Sequence, residues 1–438
     1  MMEYTYEEVI DTIEHSRRFG AHTGLEVSSA MLKALGNPHS GISYVHIAGT
    51  NGKGSTTAFL SKILEQSGKK IGMFTSPHLV TFEERIRING EYIDKDTVTR
   101  LGNLLLNTEF ALTPTMFDYC LAMATLYFKE QGCDLVLYET GIGGRYDSTN
   151  ALGTPTVSVI TRIGKDHTAI LGETIEAIAG EKAGIIKQGA PVVSSPQEEE
   201  AAKVLWDNYL KVNECSLGSA FCSQINKIEG LEPKFIFVGE RQMKETASLP
   251  MRMLGAYQLE NASTAIAAAR IVLDEWNVPK DQAETWIREG IATTYWKGRL
   301  DLLNQNPFFL VDGAHNGHGV HALAESLKQL YPGEKFHFIM AVMADKDYEE
   351  MIQELLPLAK DFVTLNLESE RALAAKELAE CIMAKGIPAT YGTDLEGVIA
   401  PYLNSPEDVA EESSKEKTIA FGSLYFIGAI YELMEKMS

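Results

Sequence analysis

Along most of the chain, short unbroken runs of apolar residues alternate with longer stretches in which apolar residues recur every three or four positions. Residues 44–48, 70–74, 135–139, 157–160 and 191–194 have the length and predominantly apolar character of strands buried on both faces. Residues 55–66, 116–130 and 175–186 carry helical spacing between them. This rhythm predicts an α/β fold, a mostly parallel sheet with helices on both faces. After an alanine-rich helix over 261–276 and the sequence Tyr295-Trp296-Lys297-Gly298-Arg299, the alternation restarts, with strands expected at 308–311, 335–342, 361–365 and 418–421. Two domains follow: residues 1–296, and a smaller Rossmann-like α/β domain over 297–438. Residues 214–255 break the rhythm. There Phe235-Ile236-Phe237-Val238 and neighbouring short runs suggest a β-rich insertion rather than a further helix–strand unit, and the acidic stretch 407–417 is expected to be a solvated loop.

In a parallel sheet of this kind, ligands bind beyond the carboxyl ends of the strands, so the residues that follow each strand are the ones to read for chemistry. Behind residues 44–48 comes Gly49-Thr50-Asn51-Gly52-Lys53-Gly54-Ser55-Thr56, a glycine turn with one lysine at its tip and a hydroxyl-rich helix start. Glycines allow the backbone to turn tightly, and the helix start adds the positive end of its dipole, a combination suited to phosphate. Lys53 would neutralise β/γ-phosphate charge, and Ser55 or Thr56 could offer a hydroxyl to Mg²⁺. The loop is a variant of the usual phosphate-loop pattern: Ile47 stands where the first glycine belongs, and Gly54 separates Lys53 from Ser55.

Three more strand ends carry polar groups. Glu139 closes the run Leu135-Val136-Leu137-Tyr138 and precedes Thr140-Gly141-Ile142-Gly143-Gly144-Arg145. A carboxylate there could hold a nucleotide-bound Mg²⁺, which prefers oxygen ligands; the plain alternative is a loop cap. Asp166-His167 follows 157–160 in the same rim. By residue type alone His167 is as well suited to a solvent-facing role. In the second half, Asp312-Gly313-Ala314-His315-Asn316 ends a strand in the same manner, which suggests a second polar site facing an interdomain cleft. A tight turn using Asp312 and Asn316 for backbone hydrogen bonds is the plain alternative. Lys182, near a helix end, reads from position alone as a solvent-facing cation on the helix dipole.

Composition narrows the function classes. Of 438 residues, 39 are basic and 60 acidic, a net charge of −21, and no basic cluster stands out, which argues against nucleic acid and anionic membranes as partners. The acidic opening Met1–Glu8 lacks an apolar core and no run approaches membrane-span length, so a cytoplasmic protein is expected. Cys120, Cys133, Cys215, Cys222 and Cys381 form no C-x-x-C pair and read as reduced, packed thiols.

Taken in order, Gly49–Ser55, Thr75-Ser76-Pro77-His78-Leu79, Glu139–Asn150, Asp166-His167-Thr168, Glu181-Lys182-Ala183-Gly184-Ile185, Asn261-Ala262-Ser263-Thr264-Ala265 and Asp312–Asn316 resemble the folylpolyglutamate synthase/dihydrofolate synthase family of the Mur ligase superfamily, over roughly residues 17–428. The resemblance implies a two-domain protein, an ATPase domain followed by the Rossmann-like one, that uses ATP to join L-glutamate to a folate through an acyl phosphate. By the same resemblance, Gly49, Thr50, Asn51, Gly52, Lys53, Gly54 and Ser55 bind the triphosphate. Ser76, Glu139 and His167 are ligands of two magnesium ions, and Lys182 matches a carbamylated lysine. Asn261 contacts the nucleotide base, and Arg299, Asp312 and His315 bring the second domain onto the nucleotide, with Lys53, Lys182 and His315 serving catalysis. Phe117 and Asp118 match positions on the folate-contacting helix. A monomer is expected.

The chain departs from the family pattern in places. Tyr257-Gln258 stands for His-Gln, Phe117-Asp118 for Phe-Glu, and Thr140, Ile142 and Tyr146 replace other residues in the glycine turn. Dihydropteroate is carried as a second expected acceptor, which would make the protein a dihydrofolate synthase as well. Another Mur-type amino-acid ligase and a noncatalytic ATP-binding regulator on the same fold are the rival readings.

Overall fold

The most continuously apolar runs become the centre of a sheet, because only strands covered on both faces bury every side chain. In the computed structural model, which describes residues 2–17, 25–213, 235–369, 371–403 and 416–437, the chain divides into two compact units. The first comprises Met1–Met251 with Leu259–Thr294 and the second Arg252–Gln258 with Tyr295–Ser438. Strands of the first unit are β1 (Tyr44–Ala48), β2 (Ile71–Phe74), β3 (Ile86–Ile88), β4 (Glu91–Tyr92), β5 (Leu135–Glu139), β6 (Val157–Ile160), β7 (Val192–Ser194) and β8 (Phe235–Phe237). They lie in the order β4-β3-β2-β5-β1-β6-β7-β8, parallel from β2 to β8, with an antiparallel hairpin of β3 and β4 at one edge. Every residue of β1, β5 and β6 is buried.

Register sets the functional edge. Ile47 pairs with Glu139, Ala48 with Ile160 and Phe74 with Tyr138, so the segments after β2, β5, β1 and β6 leave one edge of the sheet side by side. The helix Lys53–Glu65 leaves the first glycine turn and packs on Lys280–Thr293, where Gly290 lets Ile63 approach closely. Met116–Gln131 begins in a capping box formed by Thr115 and Asp118.

The second unit holds β9 (Asp301–Gln305), β10 (Phe308–Val311), β11 (Phe336–Met340), β12 (Ala359–Thr364), β13 (Ala389–Tyr391) and β14 (Lys417–Phe421). Their order is β13-β12-β11-β14-β10-β9, parallel except for β9. The helix Gly317–Leu330 starts at Asn316, whose side chain accepts from the Gly319 N–H.

The expected β-rich insertion needs correction where it can be checked; residues 214–234 lie outside the described residues. Phe235–Phe237 is no separate β layer: it follows the helix Glu199–Val212 and pairs in parallel with β7 as another strand of the main sheet. Phe235 is held there by Trp206 and Tyr209, with ring centroids 5.6 and 5.2 Å away. Glu240–Ala247 is a helix, supported by Lys244–Glu240 and Arg241–Glu245 pairs one turn apart. Of the expected acidic loop, residues 407–415 lie outside the described residues, and Lys417 already belongs to β14. Among the described residues, no helix is long and apolar enough to cross a membrane.

Candidate active site

The turn after β1 is tied to the segment after β6. The N–H groups of Thr50 and Asn51 donate to the Arg162 carbonyl at 3.0 and 3.3 Å, the Thr50 hydroxyl donates to the Gly164 carbonyl at 2.9 Å, and the Thr161 hydroxyl donates to the Asn51 carbonyl at 2.8 Å. With those amides engaged, the first-turn amides of Lys53–Glu65 are the donors suited to an anion. Gly52, at φ +86°, occupies the left-handed region, and a Cβ there would lie 2.2 Å from Asn261 Oδ1. Asn261 is thereby seated against the loop from the helix Ala256–Glu275.

Two lysines converge on one backbone oxygen. Lys182 Nζ donates to the Gly49 carbonyl at 2.7 Å and Lys53 Nζ donates to the same oxygen at 3.3 Å, with Lys53 Nζ also 3.8 Å from Glu139 Oε1. Lys182 is 4% exposed and Glu139 3%. Burial, reinforced by the Lys53 charge, lowers the Lys182 amine to about 7, so a large neutral fraction is present near neutral pH. The solvent-facing role that position alone suggested for Lys182 does not hold: the helix Ile175–Lys182 turns that side chain inward.

The turn after β5 is built around Asp147. One oxygen of this buried carboxylate accepts from the Gly141 and Ile142 N–H groups at 2.8 and 3.0 Å, and the other accepts from the Thr149 N–H and hydroxyl at 3.0 and 2.5 Å. Burial raises its pKa. The same turn grips the end of the Lys182 helix, with the Arg145 N–H donating to the Glu181 carbonyl at 2.7 Å and Asn150 Nδ2 to the Gly184 carbonyl at 3.2 Å. Ser76 follows β2 and is half-buried; His167, on the segment after β6, is exposed, with φ +50°. The Phe117 ring lies against Gly141, whereas Asp118 is buried and accepts from the Ser28, Ser148 and Thr115 hydroxyls at 2.5, 2.7 and 2.7 Å.

In the second unit, Arg299, Asp312 and His315 surround one glycine. A Cβ on Gly313 would lie 1.9 Å from Arg299 Nη1, and His315 Nδ1 is 2.8 Å from the Gly313 carbonyl. Asp312 accepts from the Tyr257 hydroxyl at 2.7 Å and from the Leu300 and Ala314 N–H groups at 2.8 Å each.

Models of known families match both units: the Mur ligase middle domain over residues 47–269, and the Mur ligase glutamate ligase domain over residues 298–409. Over 435 residues the chain is 36% identical to the dihydrofolate synthase/folylpolyglutamate synthase of Bacillus subtilis, an alignment covering 97% of this chain and 98% of that protein. The chain belongs to the folylpolyglutamate synthase/dihydrofolate synthase family of Mur ligases. Among solved structures, Mycobacterium tuberculosis folylpolyglutamate synthase complexed with ADP has a TM-score of 0.82 at 26% identity, over 98% of both chains. E. coli FolC in complex with DHPP and ADP has a TM-score of 0.80 at 25% identity, over 99% of this chain and 98% of that one. As a member of the family, the protein is an ATP-dependent ligase with the two-domain α/β Mur-ligase fold.

The first unit of this Mur ligase has a donor set suited to magnesium. Glu139 supplies a buried carboxylate, and Thr56 Oγ1, at the start of the phosphate-loop helix, is a buried hydroxyl with no hydrogen-bond partner among the described residues. The described residues hold no cluster of three or more His, Cys, Asp or Glu arranged for a metal. The candidate set of Ser76, Glu139, His167 and Lys182 is of another kind, with one carboxylate, one imidazole, one hydroxyl and an amine. Sequence reasoning missed Asp147, Thr149 and Thr161, which fix the two turns. The run Asp147-Ser148-Thr149-Asn150 carried the signal, since such side chains bond nearby backbone.

Proposed function

We propose that this Mur ligase adds L-glutamate to the terminal carboxylate of a folate, with ATP as the activating substrate. The observation that carries the reading is the convergence of Lys53 and Lys182 on the Gly49 carbonyl beside Glu139, at the mouth of a phosphate-type loop. ADP in the Mycobacterium tuberculosis structure supports a nucleotide as substrate, and Gly49–Ser55 and Asn261 are the residues assigned to contact it. In the second unit Arg299, Asp312 and His315 are the residues assigned to nucleotide binding, Asp312 by holding the turn that carries His315. Lys53 offsets charge on the γ-phosphoryl group as the folate carboxylate oxygen attacks phosphorus and ADP leaves, producing an acyl phosphate. The amine of glutamate then attacks the acyl carbon, phosphate departs, and the amine gives up a proton. Phe117 and Asp118 are the folate-side candidates, with the Ser28, Ser148 and Thr115 hydroxyls around Asp118 giving it a framework role.

Magnesium, when bound, would spread the phosphate charge and stabilise it through transfer. Ser76, Glu139 and His167 are the residues assigned to hold it. Lys182 joins them as a carbamate: a neutral amine adds to CO₂, loses a proton and presents anionic oxygens where an ammonium would be repelled. The reading includes a cytoplasmic monomer. The dual name of the Bacillus subtilis relative favours dihydropteroate as a second acceptor.

The test is ADP release from the purified chain with dihydropteroate, tetrahydrofolate or a cell-wall precursor, each with and without L-glutamate. Release with a folate-type acceptor that requires L-glutamate is expected. Release only with the cell-wall precursor would mean another Mur-type ligase. Nucleotide binding without turnover would mean a regulator.

A further inference from the structure

His46 is a fully buried histidine in the middle of β1, three residues before the phosphate loop. Its Nε2 lies 2.8 Å from the Thr149 hydroxyl oxygen. Thr149 has one hydroxyl hydrogen, and that hydrogen goes to Asp147 Oδ1 at 2.5 Å. The oxygen can then only accept from His46, so the ring carries its proton on Nε2. His46 Nδ1 is buried with no hydrogen-bond partner among the described residues, and a second proton there would be an unsatisfied buried donor. The ring is therefore held neutral and in one tautomer. From it a relay runs through Thr149 to Asp147, and from Asp147 to the amides of Gly141 and Ile142, two and three residues after Glu139.

We infer that His46 is a positioning residue for the nucleotide site, whose Nε2–H sets the orientation of Thr149 and Asp147 and so fixes the turn that carries Glu139 and grips the Lys182 helix. An apolar residue of similar size would fill the space without a buried orphan nitrogen, so packing does not require imidazole here. The relay needs a donor at the Nε2 position, which Gln can supply and Leu cannot. The inference rests on the nucleotide-site reading of Glu139 and Lys182.

The experiment uses the full chain, with calorimetric titration of ADP in the presence and absence of Mg²⁺, and nitrogen NMR of the His46 ring at neutral pH. The unaltered ring should show a protonated Nε2 and a bare Nδ1. His46→Leu should weaken Mg²⁺-dependent ADP binding about tenfold, the low end of what outer partners of metal ligands contribute, while His46→Gln stays within about threefold. Should the leucine variant fail to fold, Thr149→Val removes the relay with little change of shape and should show the same loss. Wild-type affinity in His46→Leu or Thr149→Val, with only a lower melting temperature, would overturn the inference, as would an Nδ1-protonated ring. Because these readouts need no folate, loss of the substrate assignment alone would leave them standing. Absence of Mg²⁺-dependent ADP binding in the unaltered chain would overturn both.

Discussion

The turn after β5 and the turn after β10 look alike in sequence, each an acid at a strand end leading into a glycine-containing turn, yet the two acids do different work. In the second unit Asp312 holds its own turn, with Tyr257, Leu300 and Ala314 all donating to its carboxylate. In the first unit that task falls to Asp147, which takes the Gly141 and Ile142 amides, and Glu139 lies instead near Lys53. Position at a strand end therefore marks where chemistry can occur. Whether a second carboxylate secures the turn decides if the strand-end acid is available for it.

The sharpest way to break this contrast is at Lys182. Lys182→Ala should lose activity by on the order of 10³, as removal of a charge-stabilising group at a reacting phosphate does. Formate or acetate should restore part of it by supplying the missing anionic oxygens, and Lys182→Arg should not be rescued, since the guanidinium fills the space and stays charged. Uptake of labelled CO₂ by the unaltered chain should rise as pH increases through about 7, because only the neutral amine reacts and the Lys182 pKa lies there. Full activity in either variant without added carboxylate would return Lys182 to an ordinary lysine. Lys53→Ala should cost on the order of 10² in kcat with the fold intact, read by steady-state kinetics and circular dichroism.

The smallest effects separate the two acids directly. Glu139→Gln should raise the Mg²⁺ concentration needed for half-maximal activity while leaving the melting temperature within a few degrees. Asp312→Asn should do the reverse, lowering the melting temperature by a few degrees as charge-assisted bonds worth about 1–3 kcal/mol are weakened. An unchanged Mg²⁺ dependence in the first, or an unchanged melting temperature in the second, would erase the distinction.

Much of this architecture was legible along the chain. β1, β5, β6 and β10 fall where the mostly apolar runs lie, because a strand buried on both faces is chiefly apolar, with His46 and Ser158 the polar residues inside β1 and β6. The hairpin of β3 and β4 was not, since Glu91 and Tyr92 are exposed and the pattern there is weak. Phe235–Phe237 misled because its aromatic run belongs with distant Trp206 and Tyr209, a tertiary fact that local spacing does not carry. At the site, Lys53 and Glu139 were readable from glycine turns after strands. Lys182 was not readable from position: its burial depends on which face of a short helix meets the phosphate loop, and only the family resemblance pointed to it. The structural share of Asp312 was anticipated as a turn alternative; its partner Tyr257 was noticed only as a departure from the family pattern.

The central claim is that this edge of the first sheet activates a folate carboxylate as an acyl phosphate. A single-turnover reaction with an acceptor whose terminal carboxylate carries a heavy oxygen isotope, with ATP and L-glutamate, tests it most directly. One labelled oxygen per molecule should pass from the carboxylate into the released phosphate, and Lys53→Ala should slow that transfer in step with ADP release. Release of unlabelled phosphate alongside newly formed amide would contradict the claim.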